Sequence, residues 1–177
     1  MASELTVQTI KGPTSGGNAN KILVPSGHTL LAPDHIIQTV QHLHAATGTT
    51  NAGRLDMAAS SGFVDVFSKA ITTKVANSKI LVLCNCVAHT AGSTMRMQGR
   101  IIKDTSEIYR DPYAWYGVAG EMDTHTVIHL DSPSASAGTT INYKLQASNV
   151  GSAIVYMKYA DGGGTCHSSL TLMEIAP

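Results

Sequence analysis

Two cysteines and a nearby histidine in KILVLCNCVAHTAG, residues 79–92, are where chemistry would first be sought. Thiolates and imidazoles bind metals, and low-pKa thiols carry out redox chemistry. In an extended strand, however, Cys84 and Cys86 share one face and His89 lies on the other. Residues at i and i+2 are about 6.6 Å apart along a strand. This separation disfavours a disulfide between the two cysteines, and their spacing is not a usual zinc-binding spacing.

The alternative is that Cys84 and Cys86 are small buried hydrophobic residues of a sheet. The remaining cysteine, Cys166, lies beside His167 in a glycine-rich turn that would have to fold back to complete a metal site. Three cysteines, an odd number, also argue against a disulfide framework. We therefore expect both cysteines in the core and assign no metal and no cofactor, while a metal site involving these cysteines or the histidines stays open.

Eight histidines are many for this chain length. His42 and His44 would share a strand face, as would His125 and His129. Such pairs could bind a metal, line a three-fold axis, or be solvated or hydrogen-bonded strand residues, and the last interpretation is favoured. Subunit contacts rich in histidine would weaken below a pKa near 6.5. The eight are His28, His35, His42, His44, His89, His125, His129 and His167.

Aromatic residues concentrate in YRDPYAWYG, residues 109–117, which holds half of the six tyrosines and the only tryptophan. If this segment is an exposed loop, its rings could contact a partner protein or stack on the sugar rings of a receptor. The alternative is that the tryptophan fills the end of the fold or a subunit seam. The candidate contact residues are Tyr109, Tyr113, Trp115 and Tyr116.

Catalytic motifs do not accompany these residues, since G-x-S-x-G, H-E-x-x-H, G-x-G-x-x-G and P-loop patterns are all absent. A glycosidase would need two carboxylates in a cleft. Five acids do crowd one region, but they flank predicted strand ends, where acids are usually solvated. We expect no enzyme, and a polysaccharide-degrading enzyme is the least favoured alternative. The five acids are Asp104, Glu107, Asp111, Glu121 and Asp123.

The composition limits the partners. Of 177 residues only 14% are charged, with 12 basic against 12 acidic, so nothing marks a surface for nucleic acid or an anionic membrane. Such a low charge favours a surface that meets other subunits. No signal peptide or membrane-length apolar run is evident, which predicts a protein made in the cytoplasm and not secreted.

The elements that position these residues are β-strands. Residues 1–33 are punctuated by Gly, Pro, Ser and Asn and predict an extended arm that lies on another surface. Residues 34–177 predict an antiparallel β-sandwich or barrel, because short apolar segments are separated by turn residues at even spacing. The expected strands are HIIQTVQHLH, FVDVFSKAITTKV, SKILVLCNCVAH, TMRMQGRIIKD, DTHTVIHLD, TTINYKLQAS, SAIVYMKYA and SSLTLMEIA.

Three segments carry a resemblance to a known family: NSKILVLCNC, HLDSPSASAGTTINYKLQAS and SSLTLMEIAP. They resemble a β-sandwich domain at the C-terminus of tailed-phage fibre and capsid-decoration proteins, common in marine phages. The openings SELTVQTIKG and PSGHTLLAPDHIIQTVQ are also similar to such proteins. The resemblance is densest over residues 63–177, and Cys84 and Cys86 depart from it, since hydrophobic residues would be expected there.

The resemblance implies an all-β, jelly-roll-like sandwich of the TNF/C1q type that forms a homotrimer in the virion. It implies a capsid decoration or cement protein, with a short tail or head fibre that binds a receptor as the alternative. The implied partners are further copies of the chain and other virion proteins, such as the major capsid protein or a tail protein. A host surface glycan is a further candidate partner.

Overall fold

A computed structural model describes residues 14–17, 32–47, 53–90, 92, 95–118, 120, 122–159 and 165–177. The chain divides into two compact units, Met1–Leu31 and Ala32–Pro177. Apart from 14–17, the predicted arm up to residue 31 lies outside the described residues, so the arm stays a prediction. In the described part of the second unit the regular elements are β-strands, and no helix there could cross a membrane.

Ten strands run through the described residues of this second unit. All eight predicted strands are present, and the structure adds β2, which lies in a Gly-, Ser- and Ala-rich stretch between the first two predicted strands, and β6. The strands are β1 (Ile36–Thr47), β2 (Leu55–Met57), β3 (Ser61–Thr72), β4 (Lys79–Thr90), β5 (Met95–Lys103), β6 (Ser106–Gly117), β7 (Met122–Asp131), β8 (Thr140–Asn149), β9 (Val155–Met157) and β10 (Thr165–Ile175).

The strands form two antiparallel sheets. The first has six strands: β1 pairs with β10, β10 with β4, and β4 with β7, while β9 pairs with β4 beyond the end of the β10 ladder and carries β2. The second has four strands in the order β3–β8–β5–β6. Except for β5 and β6, the strands that pair are not consecutive in the sequence. The predicted all-β sandwich is confirmed.

The core lies between the sheets and follows the two-residue period of the strands. In β4, Ile80, Val82 and Cys84 are at most 2% exposed. In β8, Tyr143 and Leu145 face them with at most 1% exposed. Burial of large side chains on one face of each sheet gives the sandwich its hydrophobic stabilisation.

Two buried carboxylates connect separate strands and loops through hydrogen bonds. Glu174 of β10 is fully buried and accepts hydrogen bonds from the Val75 amide at 3.0 Å and the Ser78 hydroxyl at 2.8 Å. Asp131 at the end of β7 accepts the Tyr143 hydroxyl at 2.7 Å and lies 3.2 Å from the Lys103 ammonium, which joins the two sheets. A buried carboxylate is tolerated only with such partners.

Candidate interaction surface

The outer face of the six-stranded sheet is assembled from residues that alternate with the core. Residues paired across strands share a face, so the register places Met173 beside Leu81 and Leu81 beside Leu130. The next row places Leu83 beside Ile128. A third row places Ile36 beside Ile175 at the end of β10. We call these seven residues the apolar patch: Ile36, Leu81, Leu83, Ile128, Leu130, Met173 and Ile175.

The apolar patch is partly open to solvent in the single chain: three of its residues are exposed, and Leu81, Leu83, Met173 and Ile175 are partly buried. Ile128 is 64% exposed, Ile36 52% and Leu130 50%. The remaining described neighbours on this face are mostly uncharged and polar, and Lys79, at one end, forms an ion pair with Asp34 at 3.4 Å. Contiguous exposed apolar side chains on one sheet face mark a contact surface.

The outer face of the four-stranded sheet is charged instead. Asp65 of β3 accepts Lys144 at 3.0 Å and Gln146 at 2.5 Å, both from β8. Arg100 of β5 donates to Gln146 at 2.7 Å and to Glu107 of β6 at 3.0 Å. The polar contacts therefore cross all four strands, and we call this surface the charged face.

Glu107 offsets the repulsion between two arginines on the charged face. Arg100 and Arg110 are directly opposite each other in the β5–β6 ladder, where like charges repel. Glu107 lies 2.6 Å from Arg110 and 3.0 Å from Arg100. The hydrogen bond from Arg110, followed by that from Arg100, lowers the pKa of Glu107 to about 2. A carboxyl group held ionised in this way is unsuited to act as a general acid.

The four predicted contact residues lie on a strand, β6, and not in a loop. Tyr116 is 65% exposed on the charged face, whereas Trp115 is 1% exposed, and its indole nitrogen donates to the Cys86 carbonyl at 3.4 Å. Trp115 therefore fills the sandwich, as the alternative anticipated, and offers no surface for contact. Tyr109 is half-buried beside the His129 ring. The side chain of Tyr113 lies outside the described residues.

The prediction that both cysteines of β4 are core residues is confirmed. Cys84 is 2% exposed and Cys86 is fully buried, on the inner face. Burial raises the pKa of Cys84 well above its usual value and that of Cys86 to about 12. Both thiols therefore stay protonated and are poor nucleophiles and ligands. His89, on the outer face, stacks on Tyr159 with 4.7 Å between ring centroids.

The predicted histidine pairs each share a face, and that face is the inner one. His42 packs edge-on against Phe67, with 5.4 Å between ring centroids. His125 lies opposite Cys86 and packs against the Trp115 ring at 4.8 Å. Burial lowers the pKa of His125, partly offset by Asp111 and Asp123. Within the described part of the chain, no three metal-ligating side chains converge.

The apolar patch was missed by sequence reasoning, although a signal for it exists. KILVL is apolar at every position after the lysine, so a strand with that sequence is apolar on both faces. A strand that is hydrophobic on both faces is covered on both faces. The inner face of β4 meets the other sheet, and Leu81 and Leu83 on its outer face stay partly exposed.

Comparison with known proteins finds only distant similarities of fold. No protein-family model and no curated protein matches the sequence. A structure of the Gx strain of infectious bursal disease virus is similar over 88% of this chain and 46% of that chain, with 11% identity and a TM-score of 0.42. The crystal structure of the T13 particle of that virus is similar over 91% and 45%, with 10% identity and a TM-score of 0.44.

A bacterial protein is also similar. Dimeric latent PorU from Porphyromonas gingivalis matches over 89% of this chain and 14% of that chain, with 10% identity and a TM-score of 0.38. This chain therefore spans less than half the length of each of these three solved chains. At such identities and scores, the likenesses carry no argument about function.

Proposed function

We propose that this chain is a non-enzymatic structural protein of a virus particle and that it assembles as a homotrimer through the apolar patch. The observation that supports this proposal is the contrast between the two outer faces. The charged face satisfies its own polar groups, whereas the patch leaves Ile128 and Leu130 at least half exposed. Burying such side chains between subunits is favourable by about 25 cal/mol per Å² of apolar surface.

A second copy of the chain is the occupant that fits the patch. Its described residues offer no run of charge that a basic or acidic partner would complement, and the whole chain has only 14% charged residues. Another copy carries a surface of the same apolar chemistry, and closed rings of identical subunits bury it without leaving an open end. Interface cores depleted in charge are typical of obligate homo-oligomers.

The role proposed for the trimer is capsid decoration. A trimer presents three copies of every weak particle contact, and linked contacts add to a binding strength that none has alone. The partners would be the major capsid protein or a tail protein, and residues 1–33 would be the attaching arm. Deleting residues 1–33 should then leave a folded sandwich that no longer binds particles. Retained particle binding by the truncated chain would contradict the role of the arm.

A short tail or head fibre that binds a receptor is the second candidate. The exposed ring of Tyr116 on the charged face favours it, because tyrosine is enriched at recognition surfaces. Copy number separates the two roles: quantitative mass spectrometry of purified particles should find hundreds of copies for decoration and at most a few dozen for a fibre. Absence of the chain from purified particles would overturn both.

A further inference from the structure

A cluster of aromatic rings lies on the outer side of the six-stranded sheet, at the end where β2 and β9 join β4. The register pairs Tyr156 of β9 with His89 of β4 on one side and with Asp56 of β2 on the other. These three residues therefore share one face. Tyr159, two residues after β9, packs over them. We call His89, Tyr156 and Tyr159, with Arg54 and Asp56, the aromatic cluster.

The rings are close and nearly parallel. The ring centroids of His89 and Tyr159 are 4.7 Å apart with an angle of 18° between planes, and those of His89 and Tyr156 are 5.9 Å apart with 10°. The Arg54 guanidinium lies 4.4 Å from the centroid of Tyr156. Its Nε and Nη2 donate to the two Asp56 oxygens at 2.6 and 2.9 Å. All three rings are partly exposed.

Several polar atoms of the aromatic cluster form no hydrogen bond with a described residue. His89 Nδ1 has no hydrogen-bond partner there, but this atom is buried and is not part of the surface that a ligand would meet. No described residue hydrogen-bonds to the hydroxyl of Tyr156 or Tyr159, and each hydroxyl can both donate and accept. Asp56, with a half-exposed side chain, keeps lone pairs beyond the two that Arg54 uses. A fixed Arg–Asp pair beside partly exposed rings resembles a site with a few placed polar groups on an apolar base.

The aromatic cluster is separate from the apolar patch. His89 is six residues from Leu83 on the same strand, about 20 Å at the rise of a β-strand. Between them on the same face lie Asn85, which pairs with Thr126 of β7, and Val87, which is 6% exposed and pairs with Thr124. Polar residues therefore separate the two surfaces, and the one apolar side chain there is buried. The cluster is therefore not explained by the subunit contact proposed above.

We propose that the aromatic cluster binds a neutral saccharide. A pyranose has apolar C–H faces that pack on aromatic rings, and its hydroxyls can accept hydrogen bonds from a guanidinium and donate hydrogen bonds to a carboxylate. Arg54 and Asp56 neutralise each other, which disfavours a strongly anionic ligand. The inference does not depend on the proposed trimer, since all five residues come from one chain.

Saturation-transfer NMR tests the proposal with a panel of methyl pyranosides: glucoside, mannoside, galactoside and N-acetylglucosaminide. The wild-type chain should transfer saturation to at least one of them. Tyr159→Ala should weaken that binding about tenfold or more, the loss expected for one ring contact. Tyr159→Phe keeps the ring and should lose less. Tyr159 lies outside the strands, so these variants should fold, and unfolding curves verify that.

The matched control is Phe63→Ala, which removes a partly exposed ring that lies 4.0 Å from the Arg100 guanidinium on the charged face and should leave saccharide binding unchanged. Saturation transfer to none of the four probes overturns the proposal, as does transfer that survives both Tyr159→Ala and Arg54→Ala. A change of solution mass in Tyr159→Ala, without saccharide binding by the wild type, would identify the cluster as a protein contact instead and also overturn it.

Discussion

The outer faces of the two sheets differ in the side chains that they present to solvent: one is charged and the other is apolar. On the four-stranded sheet, Asp65, Arg100 and Glu107 belong to contacts that satisfy their charges across neighbouring strands. On the six-stranded sheet, Leu81 pairs with Leu130, and Leu83 with Ile128, with no charge between them. A surface that satisfies its own groups can remain in water, whereas an exposed apolar sheet face favours association. The difference indicates which side of the sandwich meets another subunit.

The largest expected effect comes from making the apolar face of the six-stranded sheet resemble the charged face. Leu83→Glu combined with Ile128→Glu places two adjacent acids in the proposed subunit contact, where each would be buried without a partner. We expect the trimer to dissociate, with association weakened at least a thousandfold, which corresponds to about 4 kcal/mol. Sedimentation equilibrium measures this loss directly.

The control for that variant is Ile154→Glu, which adds an acid at an exposed apolar residue, 49% exposed, outside the apolar patch. It should leave the mass unchanged. If Ile154→Glu also dissociates the assembly, added charge would break it regardless of position. That result would contradict a subunit contact at the apolar patch.

Strand β6 allows a second comparison, between a ring inside the sandwich and a ring on the charged face. Trp115→Ala removes a side chain that is 1% exposed and should lower the free energy of unfolding by about 3–5 kcal/mol. Tyr116→Ala should change it by less than about 0.5 kcal/mol. Urea denaturation monitors both by circular dichroism. Equal effects would show that the inner and outer sides of β6 are assigned wrongly.

As the pH falls, protonation of buried histidines should destabilise the fold before Glu107 on the charged face becomes protonated. The folded pKa of His125 lies below its unfolded value, because burial outweighs the pull of Asp111 and Asp123. Unfolding therefore takes up a proton, and stability falls as the pH drops through 6.5 toward the folded pKa. Thermal unfolding between pH 8 and pH 5 should show this loss, and His125→Gln should reduce it.

Over that pH range the ion pairs of Glu107 should persist, since its pKa is about 2. His44, whose pKa is also lowered by burial and by Lys158, should contribute the part of the pH dependence that His125→Gln leaves. A melting temperature that is flat from pH 8 to pH 5 in the wild type would contradict the burial of both histidines.

The smallest effect is expected for a single ion pair on the charged face. Lys144→Gln removes the 3.0 Å contact with Asp65, and both side chains are partly exposed. Exposed pairs contribute about 0–1 kcal/mol, so the free energy of unfolding should fall by less than about 0.5 kcal/mol and the solution mass should not change. A loss of assembly in this variant would move the subunit contact to the charged face.

Much of the fold could be predicted because most strands have a clear two-residue alternation. Ile141, Tyr143 and Leu145 are all buried as their spacing predicts. Strand β6 was missed because Pro112 and the surrounding aromatic residues indicate a turn. It lies at the edge of its sheet and has a bulge between Asp111 and Trp115, and proline is tolerated in such positions.

The candidate surfaces were harder to predict because they depend on register between distant strands. Leu83 and Ile128 are 45 positions apart in the sequence, and only the β4–β7 pairing brings them together. The aromatic cluster likewise needs the short β2–β9 ladder, which brings Asp56 beside Tyr156. A three-residue strand such as β2 is too short to show a period, so no pattern in residues 53–60 signals it.

The molar mass of the purified chain, measured by multi-angle light scattering over a range of concentrations, is the decisive test of assembly through the apolar patch. We expect three chain masses for the wild type and one for Leu83→Glu/Ile128→Glu. A wild-type mass of one chain at every concentration would contradict assembly through the apolar patch.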